Sequence, residues 1–151
     1  MKRLKPRAKV RRQFGALPWR VTADDGLEIL LITSRETRRW VIPKGWPIKG
    51  LTPGMAASRE AFEEAGVLGY ASLAEVGAYA YEKRLRSGRL QPVTVSVYAL
   101  QVSDERDEWP EMHQREKRWV SPEEAAALVD EPELKTLIAA YQMRTRSPGA
   151  T

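Results

Sequence analysis

The chain has 151 residues, with 25 Lys or Arg, 20 Asp or Glu and a net charge of +5, so it suits one domain with a buried core and attracts anionic ligands. The absence of cysteine excludes thiol nucleophiles, disulfides and zinc ribbons, and agrees with a cytoplasmic location. The single histidine, His113, excludes a site with several histidine ligands and leaves a Ser-His-Asp triad only through that residue.

The chain begins with a strongly basic segment. Its first twelve residues contain seven Lys or Arg and no acid, and charge blocks of this kind are usually disordered. No apolar run of the length of a signal peptide core or a membrane span follows, so we expect neither a secretory signal nor a membrane partner. We predict a flexible arm over residues 1–12, a single domain over 13–143 and a flexible tail over 144–151.

Short apolar segments before residue 43 predict strands that lead to a glycine-containing loop. The predicted strands cover 13–21, interrupted at Pro18, then 28–33 and 40–42. A polar, basic loop over 34–39 separates the last two. The third strand delivers Pro43, Lys44 and Gly45 to the start of the next segment.

That segment predicts a helix with acidic residues on one face. Thr52 suits the N-cap, Pro53 the first turn and Gly66 the exit. At roughly 100° per residue, one face carries Arg59, Glu60, Glu63 and Glu64, and the other carries Gly54, Met55, Ala57, Ser58, Ala61, Phe62 and Ala65. The acids repel one another at this spacing, and a divalent cation would offset that repulsion. Carboxylate ligands without Cys or His favour Mg²⁺ or Mn²⁺.

The second half of the chain predicts two strands, over 74–81 and 90–102, joined by a hairpin with its tip at Ser87-Gly88. The hairpin carries Lys83, Arg84, Arg86 and Arg89. Cations on edge strands often only prevent aggregation, but Arg also binds phosphate well through its forked guanidinium, and both interpretations stay open here.

A polar loop rich in acids follows over 104–117, and a short strand is predicted over 118–120. The sequence from Ser121 to Glu124 forms a capping box that opens a helix. A second helix follows, whose stripe of Leu134, Leu137, Ile138 and Tyr141 is expected to pack on the sheet as core.

The acidic helix and the loop before it resemble the Nudix box of the Nudix hydrolases. The match runs through Arg59-Glu60-Ala61, Glu63-Glu64 and Gly66-Val67, with Gly45 at the distance of the leading glycine of the box. Leu51 departs from the pattern, because the family has a glutamate there that mainly supports the box arginine. The resemblance implies an α/β fold with a mixed β-sheet sandwiched between helices.

It also implies a metal-dependent phosphoanhydride hydrolase. The implied ligands of Mg²⁺, or of Mn²⁺, are the carbonyl of Gly45 and the carboxylates of Glu60, Glu63 and Glu64, with Glu60, Arg59 and Glu63 as catalytic residues. Glu60 is either a metal ligand or the base, and an acid of the late loop, Glu111 or Glu116, could complete the site.

More diffuse similarity over residues 13–143 resembles the branch of this family that acts on diphosphoinositol polyphosphates and diadenosine polyphosphates. It implies a small, highly anionic phosphorylated substrate. The cations assigned to that substrate are Arg20, Arg35, Arg39, Lys44, Lys83, Arg84 and Arg86. A nucleotide-sugar substrate fits less well, because it would not need so many cations.

Two alternatives remain. Leu51 in place of the box glutamate would suit a weak or inactive Nudix-like domain that senses a nucleotide. The basic arm and the aromatic residues would suit a Nudix hydrolase or binding module that acts on RNA ends, although the sequence has no recognisable RNA-binding motif.

Overall fold

The computed structural model describes residues 9–24 and 26–145, so residues 1–8 of the predicted arm and 146–151 of the predicted tail lie outside the described residues. The described chain forms eight strands and three helices. In order they are β1 (Arg11–Val21), β2 (Leu27–Thr33), β3 (Trp40–Val41), β4 (Lys44–Gly45), α1 (Pro53–Ala65), β5 (Val67–Ala71), β6 (Gly77–Arg84), β7 (Leu90–Glu105), β8 (Lys117–Val120), α2 (Pro122–Leu128) and α3 (Pro132–Thr145).

All eight strands belong to one mixed sheet. Its main path is β3-β2-β1-β7-β5, while β4 pairs with β1, β6 with β7 and β8 with β2. β1 and β7 run parallel and the other pairs are antiparallel. β1 changes partner along its length, because Phe14 and Gly15 pair with β4 whereas pairing with β2 begins at Trp19. The sheet therefore divides between β4 and β2.

Helices cover both faces of this sheet. Ala57, Ala61 and Ala65 of α1 pack on one face against residues of β1, β2 and β7. Residues of α2 and α3, including Leu134 and Ile138, pack on the other face. The predicted fold, a mixed sheet between helices, is confirmed. No helix in the described chain is long and apolar enough to cross a membrane.

The ends of α1 confirm the signals in the sequence. The Thr52 hydroxyl accepts a hydrogen bond of 3.3 Å from the Met55 N–H. Gly66 ends the helix with φ of 71° and donates its N–H to the Phe62 carbonyl over 2.9 Å. This left-handed conformation is strained for residues with a Cβ, which explains glycine at the exit.

The predicted division of α1 into two faces is wrong at two positions. Met55 was placed on the apolar side but is 52% exposed, whereas Glu64 was placed on the polar side but is only 6% exposed. The buried stripe runs through Ala57, Ala61 and Glu64, because Glu64 faces a loop that packs over the helix rather than open solvent. Sequence periodicity cannot detect such a cover.

β1 also differs from its prediction, since it continues through Pro18 without interruption. The Ala16 N–H donates to the Pro43 carbonyl on the side of β1 away from β7. Alternate residues of a strand direct their N–H groups to the same side, so the missing N–H of Pro18 falls on that side too. Pro18 lies just before the pairing with β2 begins at Trp19. Its missing N–H therefore removes no hydrogen bond between the two strands.

Smaller differences concern the strands after α1. β5 was not predicted, because a five-residue edge strand with a bulge between Leu68 and Gly69 has little periodicity. β6 lies three residues later than predicted and pairs with β7 up to Arg84. The predicted hairpin tip is confirmed at Gly88, which has φ of 88°. The capping box is confirmed in its main bond, since the Glu124 N–H donates to the Ser121 hydroxyl.

Candidate functional site

A cavity of about 810 Å³ opens where the sheet divides. Acidic side chains from α1 and from the loop between β7 and β8, the late loop, line one part of it. Six cations also line it, of which Arg35, Arg39, Lys44, Lys83 and Arg84 carry sequence predictions and Arg115 does not. The acids of α1 and the late loop are Glu60, Glu64 and Glu111, and three more acids line the cavity elsewhere, namely Glu36, Glu82 and Glu131.

Glu60 and Glu64 form a carboxylate pair at the acidic part of the cavity. They stand one helical turn apart on α1, and the interaction of the two carboxyl groups favours the proton on Glu64. Burial raises the pKa of Glu64 to about 9, and the bond to Glu60 adds to this rise. Burial also raises the pKa of Glu60, and the nearby charge of Glu63 contributes. In the absence of another cation, the pair therefore retains a proton.

Gly45 gives the Glu60 carboxylate its space. A Cβ at position 45 would lie 2.4 Å from the carboxylate carbon of Glu60. Real Cβ atoms do not approach other atoms so closely, so any larger residue would displace the carboxylate. The β4 strand and the acidic helix thus meet at this glycine, as the spacing of the Nudix box implied.

Arg115 of the late loop lines the cavity beside the carboxylate pair, a position that its sequence context did not predict. Its side chain is 11% exposed and lies 3.0 Å from Glu111 and 3.6 Å from Glu64. It also donates to the Thr33 carbonyl over 3.1 Å. The largely enclosed guanidinium therefore connects α1, β2 and the late loop, and the i,i+4 spacing of Glu111 and Arg115 was its signal in the sequence.

The two late-loop acids have different surroundings. The Glu111 N–H donates to the Glu63 carbonyl over 3.0 Å, which holds the loop against α1 and places Glu111 in the cavity wall. The Glu116 side chain is 69% exposed and lies 3.7 Å from Arg38, outside the cavity lining. The structure therefore brings Glu111, and not Glu116, together with the acids of α1.

The cavity cations differ in how they are paired. Arg39 contacts Asp130 and Glu131 at 3.1 and 3.0 Å, and Arg35 lies 4.0 Å from Glu111. These ion pairs hold the loop between β2 and β3 at the cavity rim. Lys83 and Arg84 of β6 have no carboxylate within ion-pair distance in the described chain.

Lys44 lies deeper, with its ammonium 5.1 Å from the ring centre of Tyr81. Burial lowers its pKa to about 8, although the charge of Glu64 opposes this shift. The Lys44 ammonium forms no hydrogen bond or ion pair with the described residues, so its N–H donors remain available to an anion.

Four residues assigned from the sequence do not line the cavity. Arg20 contacts Glu28 and Glu105 and stacks on the Trp119 ring, whereas Arg86 lies in the exposed hairpin. Arg59 is exposed and has no ion pair in the described chain. Glu63 is half-buried beside Glu60, and its assigned role, like the others, stays a prediction.

The chemistry of the acidic part fits a hard divalent cation. Its side-chain donors are oxygens only, as Mg²⁺ and Mn²⁺ prefer. The Glu60 carboxylate lies against Gly45, and the neighbouring Glu64 retains a proton. A cation bound between these groups would replace that proton. In residues 9–24 and 26–145 no three acidic or histidine side chains already stand at ligand spacing, so a full ligand set needs the Gly45 carbonyl or movement of another acid.

Fold and site together define an α/β protein with an acidic helix at one side of a cation-lined cavity. Residues 11–141 match the NUDIX domain family over most of the chain. The chain therefore belongs to the Nudix family, as the resemblance in its sequence implied.

Relatives with known names support this membership. The chain is 37% identical to Nudix hydrolase 12, mitochondrial, of Arabidopsis thaliana over 68% of this chain and 52% of that protein. It is 32% identical to Nudix hydrolase 13, mitochondrial, of the same plant, over 76% of this chain and 64% of the relative. The chain thus spans between half and two-thirds of these two relatives. An Ap4A hydrolase structure from C. elegans has the same fold, with 23% identity, a TM-score of 0.62 and coverage of 90% and 98%.

Proposed function

We propose that this protein is a divalent-metal-dependent pyrophosphohydrolase that cleaves a phosphoanhydride in a highly anionic substrate, such as a diadenosine polyphosphate or a diphosphoinositol polyphosphate. One observation carries the proposal: a single cavity joins the Glu60–Glu64 pair to six lining cations. A phosphoanhydride needs both groups, because its reacting phosphate is anionic before, during and after cleavage.

Glu60, Glu64 and the Gly45 carbonyl are the proposed holders of Mg²⁺ or Mn²⁺, with Glu63 and Glu111 as further candidates. When bound, the metal ion neutralises the charge that develops on the phosphoryl and leaving oxygens. Glu60 lies in the cavity wall, and where it does not ligate the metal ion it is the proposed base for the attacking water.

The cations are proposed to bind and orient the substrate. Lys44, Lys83 and Arg84 have no acidic partner within ion-pair distance in the described chain, so their charges are available to phosphate. Arg35 and Arg39 are paired at the rim, and they would bind phosphate while keeping their loop in place. A substrate with several phosphates matches this number of donors better than a nucleotide sugar does.

A substrate panel at fixed Mg²⁺ concentration tests the proposal. It should include diadenosine polyphosphates, a diphosphoinositol polyphosphate and a nucleotide sugar, with release of phosphorylated products as the measurement. Wild type should cleave at least one of the first two classes, and Glu64→Gln should reduce that rate by about 100-fold or more. Glu75→Gln, which changes an exposed acid far from the cavity lining, is the matched control.

A nucleotide-sensing domain without catalysis is the second candidate. It is favoured by Leu51 and by the exposed Arg59, which has no ion pair in the part of the chain that the structure describes. No cleavage across the panel, together with measurable binding of a nucleotide, would favour it over the hydrolase. A cytoplasmic location also stays a proposal, and fractionation of cells that express the full chain would test it.

A further inference from the structure

The cavity floor contains a buried glutamine, Gln13, for which the sequence predicted only a place in a strand. Gln13 of β1 is 3% exposed and lines the cavity. Its carbonyl Oε1 accepts a hydrogen bond of 2.6 Å from the Tyr81 hydroxyl. Its amide nitrogen has no hydrogen-bond partner among the described residues, yet it is not among the fully occluded atoms. The unpartnered amide nitrogen of Gln13 is therefore accessible from the cavity that the residue lines.

Tyr81 fixes this amide through the arrangement of the sheet. Gln13 on β1 is opposite Val95 of β7, and Tyr81 on β6 is opposite Val93 of the same strand. Tyr81 therefore reaches across β7 to Gln13. In this bond the Tyr81 hydroxyl donates to the Gln13 carbonyl, so the carbonyl lies towards Tyr81 and the amide nitrogen on the opposite side of the amide group.

The same tyrosine lies beneath Lys44. The Lys44 ammonium is 5.1 Å from the Tyr81 ring centre, within the range of a cation–π contact. Lys44 has no acceptor in the described chain. One tyrosine thus orients two sets of unused donors, the ammonium by its ring and the amide by its hydroxyl.

We propose that Gln13 and Lys44, held by Tyr81, form an anion subsite on the cavity floor that binds a phosphate oxygen of the substrate. Both residues offer only hydrogen-bond donors here. A phosphate oxygen can accept from both of them, whereas a hydroxyl group is a weaker, uncharged acceptor. Gln13 contacts the substrate directly. Tyr81 is a positioning residue that acts through the other two.

The subsite deepens the proposed hydrolase function and rests on it for the identity of the substrate. Its binding step can be tested without catalysis. Inorganic tripolyphosphate is the probe, and isothermal titration in EDTA at low ionic strength measures its affinity with no divalent cation present. Absence of cleavage in the substrate panel would then overturn the hydrolase assignment alone, whereas the titration tests the subsite alone.

Gln13→Met keeps the length of the side chain and removes its donors, so it should weaken tripolyphosphate binding about 10-fold, as expected for a lost hydrogen bond to a charged group. Tyr81→Phe keeps the ring under Lys44 and should weaken binding by a smaller factor, about 3-fold. The double variant should bind like Gln13→Met, because Tyr81 contributes through the amide that is already absent.

The matched control is Gln91→Met. Gln91 is also a buried glutamine, 6% exposed, but its amide donates to the Lys9 and Pro92 carbonyls and it does not line the cavity. It should leave the affinity unchanged even if it lowers thermal stability. In the substrate panel, Gln13→Met should raise KM with little change in kcat, which a loss of packing alone would not produce.

Wild-type affinity for tripolyphosphate in folded Gln13→Met would overturn the subsite, as would failure of wild type to bind the probe. If Gln13→Met does not fold, Tyr81→Phe decides the matter. Wild-type affinity in that variant, or equal losses in Tyr81→Phe and Gln91→Met, would show that the pair serves only to stabilise the fold.

Discussion

At the scale of single residues, the site depends on carboxylates placed where water cannot easily reach them. Glu64 is 6% exposed, with Glu60 and Arg115 beside it. Such burial disfavours the charged form, and the pKa of Glu64 rises to about 9 as a result. A cation that binds Glu64 must therefore displace this proton, so its binding should weaken as pH falls.

Glu64 should make the stability of the metal-free protein depend on pH. The pKa of this group is higher in the folded chain than in the unfolded chain, so its stabilising contribution is complete below the unfolded value and is lost as pH rises towards about 9. In EDTA, wild type should therefore lose more than about 1 kcal/mol of unfolding free energy between pH 5 and pH 8 relative to Glu64→Gln. Urea unfolding at both pH values measures this, and parallel pH profiles for the two proteins would contradict it.

Gly45 is the second residue whose role can be tested by a minimal change. Gly45→Ala would place a Cβ 2.4 Å from the Glu60 carboxylate carbon, so it should reduce Mn²⁺ affinity about 10-fold or more while the chain still folds. Gly54→Ala is the control, because its Cβ would meet neighbours at 3.6–3.7 Å, an ordinary contact. Titration of Mn²⁺ by electron paramagnetic resonance separates the two variants. Equal affinities would show that Glu60 does not need this position.

At the scale of secondary structure elements, the late loop is what completes the acidic part of the cavity. The Thr33 hydroxyl accepts from the Glu116 N–H over 2.9 Å, and the Glu63 carbonyl accepts from the Glu111 N–H. Arg115 adds a buried ion pair with Glu111. These contacts fix the loop on α1 and β2 so that Glu111 faces the cavity and Glu116 does not.

Glu111→Gln and Glu116→Gln should therefore have different effects. Glu111→Gln removes the cavity acid and should lower kcat by about 10-fold or more, through weaker metal binding or a poorer base. Glu116→Gln changes an exposed side chain near Arg38 and should leave kcat within about two-fold. Steady-state rates at saturating Mg²⁺ provide the measurement. The reverse order of effects would mean that the loop moves in the working enzyme.

The comparison of sequence and structure is clearest at this scale. α1 was predictable because its signals are local: the Thr52 cap, the Gly66 exit and the spacing of the acids all lie within a few turns. The burial of Glu64 was not predictable, because it depends on the late loop some fifty residues further along the chain. Arg115 of that loop lies 3.6 Å from Glu64. Gln13 and Tyr81 meet across β7, and no pattern in either strand predicts that meeting.

At the scale of the whole molecule, charge is distributed unevenly. The net charge is +5, and several cations outside the cavity, including Arg20 and Arg118, are neutralised by nearby carboxylates. By contrast, Lys44, Lys83 and Arg84 line the cavity without an acidic partner at ion-pair distance in the described chain. These three unpaired cations therefore give the cavity positive charge that is available to an anionic substrate.

Arg84 and Arg20 were both assigned to the substrate from the sequence, but only Arg84 lines the cavity. Arg84→Gln should raise KM for a polyphosphate substrate by about 5-fold or more, and should weaken the dependence of KM on salt. Arg20→Gln should change neither, because Arg20 contacts Glu28 and Glu105 outside the cavity lining. KM measured from low to physiological ionic strength gives both quantities. A larger effect from Arg20→Gln would place the substrate on another face of the protein.

The most direct test of the central claim measures cleavage of a diadenosine polyphosphate and a diphosphoinositol polyphosphate by wild type and Glu64→Gln, each with Mg²⁺ and with EDTA. Wild type with Mg²⁺ should cleave at least one substrate, EDTA should abolish that cleavage, and Glu64→Gln should reduce it by about 100-fold or more. Cleavage that persists in EDTA, or that is unchanged in folded Glu64→Gln, would contradict the central claim.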